Sequence, residues 1–427
     1  MVVRLSGNDA IAIADRIFSG HCRLADAKGY SLHYGTIRDG ERIVDDVVVA
    51  LFRAPHSYTG DDTVEITAHG SEYITSEILR LAIEHGARMA TAGEFTRRAF
   101  LAGKMDLSRA EAVADVIASN SRWSHRVAST QMRGNYSEYL ASLRRDLLRL
   151  CSLLELELDF SEEDVEFADR QTLRSILAEV ERQITSLRSS FSLGNVLKEG
   201  VTVAIVGEPN VGKSTLLNAL LEDDRAMVSD IAGTTRDTIE ASTTIDGIRF
   251  RFIDTAGLHA TTDKLEQMGI ERTHRAIDRA HIVLHMASAE RPEFGDIATN
   301  ASQHYIRIIN KIDTVSESIT LDDNTPLLIS AKRSIGIETL RDRLRSLIDT
   351  TAVDAGSIVV SNMRHYEALS RAYEALKDAQ RAIDGGLPAD LVSEDIRTIL
   401  HHLGEITGDI TSDDILQSIF STFCIGK

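Results

Sequence analysis

The segment Gly207-Glu-Pro-Asn-Val-Gly-Lys-Ser214 has the residue types and spacing that bind the phosphate chain of a nucleotide. Its glycines let the backbone curl until successive N–H groups face phosphate oxygens. Lys213 supplies a positive charge for the outer phosphates, and the Ser214 hydroxyl is a ligand for Mg²⁺. Such a loop requires a strand before it and a helix after it. The apolar run 201–206 predicts the strand, and residues 215–221 predict the helix.

Three further motifs each follow a predicted strand. Asp254-Thr-Ala-Gly257 can hold the water shell of Mg²⁺ through its aspartate and turn a glycine N–H toward the γ-phosphate. In Asn310-Lys-Ile-Asp313 the aspartate can accept from the ring N–H and the amino group of guanine, a donor pair that adenine lacks. Ser330-Ala-Lys332, after the predicted strand 326–329, can add a backbone N–H to the guanine carbonyl. Four motifs at the carboxyl ends of strands predict a GTP site in a Rossmann-like domain.

The predicted contacts to the nucleotide come from all four motifs. They are Asn210, Val211, Gly212, Lys213, Ser214, Thr215, Asp254, Thr255, Ala256, Gly257, Asn310, Lys311, Asp313, Ser330, Ala331 and Lys332. Taken singly, Asp254 could be a helix cap and Asn310-Lys311 a solvated turn. Taken together, the order and spacing of the motifs favour the nucleotide site.

Composition and charge limit the class of protein. The chain has 427 residues, 43% of them hydrophobic and 26% charged, which is ordinary for a chain of about two to four folded domains. It contains no apolar run long enough to span a membrane and no basic-then-apolar leader. The three cysteines are far apart, which predicts a reducing cytoplasm and no structural disulfide. The net charge of −18 argues against a protein that coats nucleic acid, but it permits a local basic patch for one RNA.

The elements that must position these motifs change type along the chain. Residues 1–100 mix short strand-like runs with helices, and residues 104–196 carry apolar residues at the three- and four-residue spacing of helices. Residues 200–350 alternate strands and helices, with a hairpin turn at Asp246-Gly247. After residue 357 the chain is helical again. An α/β domain between two helical segments suggests an insertion into a helical domain built from two distant pieces.

Three conspicuous groups of residues have plain structural interpretations. Trp123 lies in a predicted helix and is interpreted as a packing residue. The acidic run 155–166 is interpreted as a solvated helix end and loop rather than a metal site. The pair His401-His402 is interpreted as surface or helix-cap residues rather than metal ligands.

One departure from the common GTPase pattern points to a family. Ras-type enzymes place a glutamine that orients water directly after the Asp-x-x-Gly motif, and this chain has Leu258 there, so the catalytic group must come from elsewhere. The G domain resembles those of GTPases related to translation factors. From end to end the chain resembles the MnmE (also called TrmE) family of tRNA-modification GTPases. The motifs that carry the resemblance are Pro55-x-Ser57-Tyr58-Thr59-Gly60, Gly93-Glu94-Phe95-Thr96, Asp159-Phe160-x-Glu162-Glu163, Gly233-Thr-Thr-Arg-Asp237 and Phe423-Cys424-Ile425-Gly426-Lys427.

The resemblance implies which cations assist hydrolysis. The family uses K⁺ where other GTPases use an arginine finger, because a cation near the bridge between the β- and γ-phosphates offsets developing negative charge. The positions that match its K⁺ ligands are Asn210 (side chain), Ser229 and Ile231 (backbone carbonyls) and Thr234. Thr235 matches the switch threonine that binds Mg²⁺ opposite Ser214.

The resemblance also implies catalytic residues. Glu266 matches the glutamate that positions the attacking water; by itself it would be interpreted as an ordinary surface residue of a helix. Arg236, beside the switch threonine, is a second catalytic candidate. The switch residues expected at the nucleotide and its cations are Ser229, Asp230, Ile231, Ala232, Gly233, Thr234 and Thr235.

A folate site is implied in the first domain. That domain of the family resembles the folate-binding fold of the glycine-cleavage T-protein kind and binds 5-formyl-tetrahydrofolate or a related folate. The matching positions are Arg4, Glu65, Lys104 and the final Lys427. Basic groups suit the glutamate tail of folate, and an acid suits the N–H donors of the pterin; without the resemblance these residues would be plain surface charges. Cys424, tied to the modification in the family, is a catalytic candidate.

Partners and domain limits follow from the same resemblance. The family acts as a homodimer in a heterotetramer with the FAD protein MnmG (GidA). Together they add a carboxymethylaminomethyl or aminomethyl group at carbon 5 of the wobble uridine of certain tRNAs. We expect an α+β folate-binding-like domain that dimerises, a discontinuous helical domain, an inserted Ras-like P-loop G domain and no membrane partner. The expected limits are 1–101 for the first domain, 102–198 and 353–427 for the helical domain, and 199–352 for the G domain.

Two alternatives are open. An Era- or Der-like GTP switch in ribosome assembly would need a basic RNA-binding domain after the G domain, yet residues 357–427 contain no basic cluster. A shortened paralogue would hydrolyse GTP without using folate, since family members usually carry an additional segment before the strand that matches residues 2–6. His259 stands where relatives more often have arginine, which would weaken G-domain pairing or make it sensitive to pH.

Overall fold

The chain forms two compact units, each with its own β-sheet. The computed structural model describes residues 1–159, 170–221, 241–253, 275–301, 303–315, 326–354, 356–423 and 426. The first unit comprises residues 1–117, 131–178 and 371–427, and the second comprises residues 118–130 and 179–370. Among the described residues, no helix combines the length and the apolar character needed to cross a membrane.

An antiparallel sheet opens the first unit. Its strands are β1 (Val2–Ser6), β2 (Phe18–Gly20), β3 (Ser31–Asp39), β4 (Arg42–Phe52) and β5 (Thr63–Thr67), in the order β1-β5-β4-β3-β2. Successive residues of a strand face opposite sides, so Val47 and Val49 are buried whereas Val48 is exposed. Helices α1 (Ala10–Ile17) and α2 (Glu72–Glu84) bury apolar residues in the same core. The expected α+β arrangement is confirmed.

Helices make up most of the remaining chain. They are α3 (Glu94–Leu101), α4 (Leu107–Ala118), α5 (Arg122–Met132), α6 (Asn135–Asp159), α7 (Arg170–Glu199), α8 (Lys213–Leu221), α9 (Ile337–Ser346), α10 (Thr351–Asp354), α11 (Met363–Asp384), α12 (Ala389–Thr407) and α13 (Asp413–Ser421). In the first unit α6 and α12 contact each other although they are far apart in sequence. Apolar residues at helical spacing are buried on both: Leu143, Leu147, Leu150 and Leu154 on α6, and Val392, Ile396, Ile399 and Leu403 on α12.

A six-stranded sheet forms the centre of the second unit. Its strands are β6 (Val201–Gly207), β7 (Ala241–Ile245), β8 (Ile248–Ile253), β9 (Ile282–Ser288), β10 (His304–Asn310) and β11 (Leu327–Leu328), in the order β11-β10-β9-β6-β8-β7. Neighbouring strands are parallel except β7, which pairs antiparallel with β8 through a turn at Asp246-Gly247. Both turn residues have positive φ, as a two-residue hairpin requires. Trp123 packs in this unit, where its Nε1 donates to the Asp246 carbonyl at 3.1 Å, so its packing role is confirmed.

The carboxyl ends of the parallel strands meet at one edge of this sheet. β6 runs into the phosphate-binding loop, β10 ends at Asn310, and β11 is followed closely by Ser330. The strand predicted over 326–329 is shorter in the structure, with two residues in β11. Three of the four motifs therefore lie at the same edge, where ligands of open α/β sheets bind. The fourth motif follows β8 and lies outside the described residues.

Candidate functional site

The phosphate-binding loop has a backbone conformation that restricts its residue types. Gly207 has a φ of 144°, and a Cβ there would lie 2.3 Å from the Met286 carbonyl oxygen on the neighbouring strand β9. Asn210 is left-handed, with a φ of 63°, a region that asparagine tolerates better than most residues. The loop can pass this close to β9 only because it carries glycine at its first position.

Lys213 begins α8 and extends its side chain back along the loop. Its Nζ donates to the carbonyl oxygens of Gly207 and Glu208, at 2.8 Å each. In the described part of the chain the ammonium has no carboxylate partner, and burial lowers the pKa of Lys213. A nearby anion would offset that cost of burial. The loop and its lysine therefore fit a nucleotide phosphate chain.

Ser214 and Thr215 occupy the next positions in the first turn of α8. The Ser214 side chain carries a hydroxyl at the start of α8, where the sequence predicts a ligand of Mg²⁺. Hydroxyl and carboxylate oxygens are the ligands that Mg²⁺ prefers. The magnesium role of Ser214 stays a prediction, and its expected partner Thr235 lies outside the described residues.

Asn310 connects the base-binding motifs to the phosphate-binding loop. Its side-chain Nδ2 donates to the Val211 carbonyl at 2.8 Å, and its Oδ1 accepts from the Ala331 N–H at 3.0 Å. The residue is 3% exposed, and buried amides are stable only when paired in this way. Three segments that are far apart in sequence are therefore held together by one side chain. This bridge is a role that sequence analysis missed, because no local pattern reports it.

In the segment Ser330-Ala331-Lys332, the backbone N–H of Ala331 makes a hydrogen bond within the protein that the sequence did not predict. The sequence predicts a backbone N–H from this segment to the guanine carbonyl. In the structure the Ala331 N–H bonds to Asn310, and Ser330 is turned to Asp313. A contact between this segment and guanine stays a prediction.

Asp313 is held as an ionised acceptor. Its Oδ1 accepts from the Ser330 hydroxyl at 2.6 Å, and its Oδ2 lies 3.5 Å from Arg333 Nε. The Ser330 hydrogen bond lowers the pKa of Asp313, and the charges of Arg333 and Lys332 lower it further. An ionised carboxylate only accepts hydrogen bonds, which is what the two donors on guanine require. Lys311, with a left-handed φ of 67°, turns the chain between Asn310 and this carboxylate.

Gly212→Ala is expected to weaken GTP binding tenfold or more. A Cβ at Gly212 would lie 2.3 Å from Asn310 Nδ2, so it would displace the bridging amide, and the φ of 100° is strained for alanine. Strain and the lost hydrogen bond together amount to about 2–4 kcal/mol. Titration with a fluorescent GTP analogue measures the affinity. Gly295→Ala is the control, since a Cβ at Gly295 meets no atom within 4 Å. Equal affinity in the two variants would contradict the steric argument.

A second group of predicted site residues lies on the first sheet. Arg4 on β1 is opposite Glu65 on β5, and Arg4 Nη2 lies 2.7 Å from Glu65 Oε1. The guanidinium is 5.6 Å from the ring centroid of Tyr58 and 5.4 Å from that of Phe95. The structure therefore pairs Arg4 with Glu65 and places two aromatic rings within cation–π distance of the Arg4 guanidinium. Sequence analysis missed these two rings as neighbours of Arg4, although both belong to motifs that carry the family resemblance.

A cavity of about 600 Å³ lies beside β1 in the first unit. Arg4, Phe95 and Gly426 are among its lining residues, whereas Glu65 and Lys104 are not. Lys104 instead donates through Nζ to the Pro55 carbonyl oxygen. The volume suits a small molecule. Of the predicted folate residues in the described part of the chain, Arg4 is thus the one that reaches this cavity.

Other predicted site residues lie outside the described residues. They are Ser229, Asp230, Ile231, Ala232, Gly233, Thr234, Thr235, Arg236, Asp254, Thr255, Ala256, Gly257, Glu266, Cys424 and Lys427. Leu258 and His259 also fall there, as does most of the acidic run 155–166. Their roles stay predictions.

Two protein-family models together match nearly the whole chain. A family model described as the N-terminus of the GTP-binding protein TrmE matches residues 1–104. A second, described as the MnmE helical domain, matches residues 107–424. Among solved structures, Era of Aquifex aeolicus bound to GDP and aluminium fluoride is 26% identical and covers 41% of this chain and 66% of its own. The TM-score of this match is 0.25.

Curated relatives are similar over their full length. The tRNA modification GTPase MnmE of Bacteroides fragilis is 48% identical over 447 aligned positions, which cover 100% of this chain and 96% of the relative. The protein of the same name from Cytophaga hutchinsonii is 48% identical over 435 positions, covering 100% and 94%. The match takes in both sheets and the phosphate-binding loop. The chain therefore belongs to the MnmE (TrmE) family of tRNA modification GTPases.

Proposed function

We propose that this chain hydrolyses GTP with Mg²⁺ and that the hydrolysis serves the modification of the wobble uridine of certain tRNAs. The observation that supports the nucleotide part most directly is the buried amide of Asn310. It ties the Val211 carbonyl of the phosphate-binding loop to Ala331 of the base-binding segment. This amide holds the phosphate-binding loop next to the base-binding segment, which supports the binding of one nucleotide across both.

The described residues have separate tasks in holding the nucleotide. The N–H groups of the loop and the Lys213 ammonium would bind the β- and γ-phosphates and orient them. Ser214 would hold Mg²⁺, which bridges phosphate oxygens and neutralises charge that develops as the γ-phosphate leaves. Asp313 would accept from the ring N–H and amino group of guanine. Together these contacts position the γ-phosphate for attack by water.

The hydrolytic step is proposed to depend on residues that match the family. Leu258 cannot orient water, so we assign that task to Glu266. Arg236, next to the switch threonine in sequence, is a second catalytic candidate. K⁺ would supply a positive charge near the bridge between the β- and γ-phosphates. The residues proposed to hold it are Asn210, Ser229, Ile231 and Thr234, with Thr235 on Mg²⁺. The exposed position of Asn210 in the loop supports its part in this assignment.

Partners and the one-carbon donor belong to the same proposal. We infer a cytoplasmic homodimer that works with MnmG, and a folate bound near Arg4, Glu65, Lys104 and Lys427, with Cys424 close to the transferred unit. The ion pair of Arg4 and Glu65, with the Tyr58 and Phe95 rings near the Arg4 guanidinium, supports a site for a flat heterocycle. Proposed domain limits are 1–101 for the folate-binding domain, 102–198 and 353–427 for the helical domain, and 199–352 for the G domain.

Complementation tests the tRNA part of the proposal. In a bacterium that lacks its own family member, the 5-carboxymethylaminomethyl or aminomethyl uridine is expected to be absent from digested tRNA. The wild-type chain is expected to restore it, and Lys213→Ala is not, because the cation that orients the β- and γ-phosphates is removed. Lys28→Ala, at an exposed position of the first unit, is the control.

The same experiment separates the alternatives. GTP turnover by the purified chain without restoration of the modified uridine would favour an Era-like switch. Full restoration by Lys213→Ala would contradict the need for GTP in the modification. Restoration that is insensitive to changes at Arg4 and Glu65 would favour a paralogue that does not use folate at this site.

A further inference from the structure

Two adjacent histidines and a glutamate cluster near the carboxyl end of α12, within the first unit. Glu405 follows His401 by four residues and His402 by three, which is about one helical turn in each case, so the glutamate reaches both histidines. One ring nitrogen of each histidine and one carboxylate oxygen all lie within 4.8 Å of one another. In the described part of the chain, it is the one group of three or more histidine, cysteine or acidic side chains whose ligand atoms lie this close together.

The distances within this cluster match those between the ligands of a tetrahedral metal ion. Glu405 Oε1 lies 3.4 Å from His401 Nε2 and 3.5 Å from His402 Nδ1. With metal–ligand bonds of about 2.1 Å, neighbouring ligands of tetrahedral zinc are roughly 3.4 Å apart. Two of the three ligand–ligand distances therefore already suit the ion. The third distance, between the two ring nitrogens, can shorten through rotation of His401, whose side chain is 50% exposed.

The inner histidine has an unsatisfied nitrogen. His402 Nδ1 is buried and makes no hydrogen bond with the described residues; its 3.5 Å separation from Glu405 Oε1 is at the outer limit for one. Buried ring nitrogens normally have a partner, and a metal ion bound to a neutral imidazole is one such partner. The exposed side of His401 leaves room for water as a further ligand.

Arg371 on α11 orients the carboxylate. Its Nη2 donates to Glu405 Oε2 at 2.6 Å, which leaves Oε1 directed at the two histidines. Carboxylates that bind metal ions are commonly held by hydrogen bonds of this kind on their other oxygen. The guanidinium also offsets the negative charge of Glu405, so the affinity for a cation is expected to be moderate rather than extreme.

We propose that His401, His402 and Glu405 form a Zn²⁺ site with three protein ligands and water in the fourth position. Two imidazole nitrogens and one carboxylate oxygen are a ligand set that zinc prefers, whereas Mg²⁺ prefers oxygen ligands in an octahedron. The site shares no residue with the nucleotide site. The sequence favours a surface or cap role for His401-His402. The structure adds the oriented carboxylate and a buried nitrogen of His402 that makes no hydrogen bond with the described residues.

Metal titration of the full chain tests the proposal. The protein is treated with a chelator, exchanged into buffer with excess Mg²⁺ and no nucleotide, and titrated with Zn²⁺ by calorimetry and with Co²⁺ by visible absorption. Wild type is expected to bind one more Zn²⁺ than His401→Ala or Glu405→Gln, or to bind it at least tenfold more tightly. Its Co²⁺ form is expected to show the intense bands of four-coordinate cobalt, and the two variants are expected to lose them.

A matched control and a second readout make the result decisive. His69→Ala removes an exposed histidine whose Nδ1 lies 2.9 Å from Asp45 Oδ1. The described part of the chain offers no third ligand there, so zinc binding is expected to be unchanged. Zinc is also expected to raise the Tm of wild type and of His69→Ala but not of His401→Ala. Because His401 is half-exposed, its variant is expected to keep the metal-free Tm. The same zinc affinity and the same rise in Tm in wild type, His401→Ala and Glu405→Gln would overturn the proposal.

Discussion

Asp313→Asn is expected to weaken GTP binding by about 100-fold and to make xanthosine triphosphate the preferred nucleotide. The carboxylate of Asp313 is proposed to accept two hydrogen bonds from guanine, whereas an amide accepts at its oxygen and donates at its nitrogen. Xanthine carries a carbonyl in place of the guanine amino group, so the new amide donor finds an acceptor. Hydrogen bonds to charged groups contribute about 1.5–3 kcal/mol each, which corresponds to roughly tenfold to 100-fold in affinity.

Competition of GTP and xanthosine triphosphate against a fluorescent GTP analogue measures this change. Asp246→Asn, on the exposed hairpin turn of the same unit, is the control and is expected to prefer GTP as wild type does. The Ser330 hydrogen bond keeps the pKa of Asp313 below its ordinary value, so Asp313 stays ionised and affinity for GTP is expected to hold from about pH 8 to pH 6. An unchanged nucleotide preference in Asp313→Asn would remove this residue from base recognition.

Glu266→Ala is expected to lower GTP turnover by about 100-fold or more and to leave GTP binding nearly unchanged. Groups that orient or deprotonate the attacking water contribute roughly 10²- to 10⁴-fold to such reactions, and Leu258 cannot take that role.

In wild type, turnover is expected to be much faster in K⁺ than in Na⁺ buffer at matched ionic strength. Asn210→Gly is expected to lose this difference. Glycine keeps the left-handed backbone at φ 63° while removing the proposed K⁺ ligand.

The same assay distinguishes the hydrolytic mechanism from a simple switch. Glu290→Ala changes an exposed glutamate of the same unit and is expected to behave as wild type. Equal turnover in the two salts would contradict the potassium mechanism and return the ribosome-assembly switch to consideration. Wild-type turnover in Glu266→Ala would show that another residue positions the water.

Local patterns in the sequence predicted the elements that carry the site. The dipeptide Asp246-Gly247 predicted the hairpin turn that joins β7 and β8 in the structure. The glycine-rich loop predicted the transition from β6 to α8. These features depend on residues that are neighbours in the chain, so composition and spacing were sufficient. The family and the GTP site followed from motifs of the same local kind.

Only the tertiary structure decided which distant residues meet. Three contacts join residues on separate elements. They are the hydrogen bond of Asn310 to Val211, the close approach of Asn310 that requires glycine at position 212, and the ion pair of Arg4 and Glu65. The orientation of the Glu405 carboxylate toward His401 and His402 depends in addition on a hydrogen bond from Arg371 on another helix. Sequence determines which side chains are available and which strand or helix carries them. Distances of a few ångströms between elements arise from how the cores pack, and no short pattern in the chain encodes them.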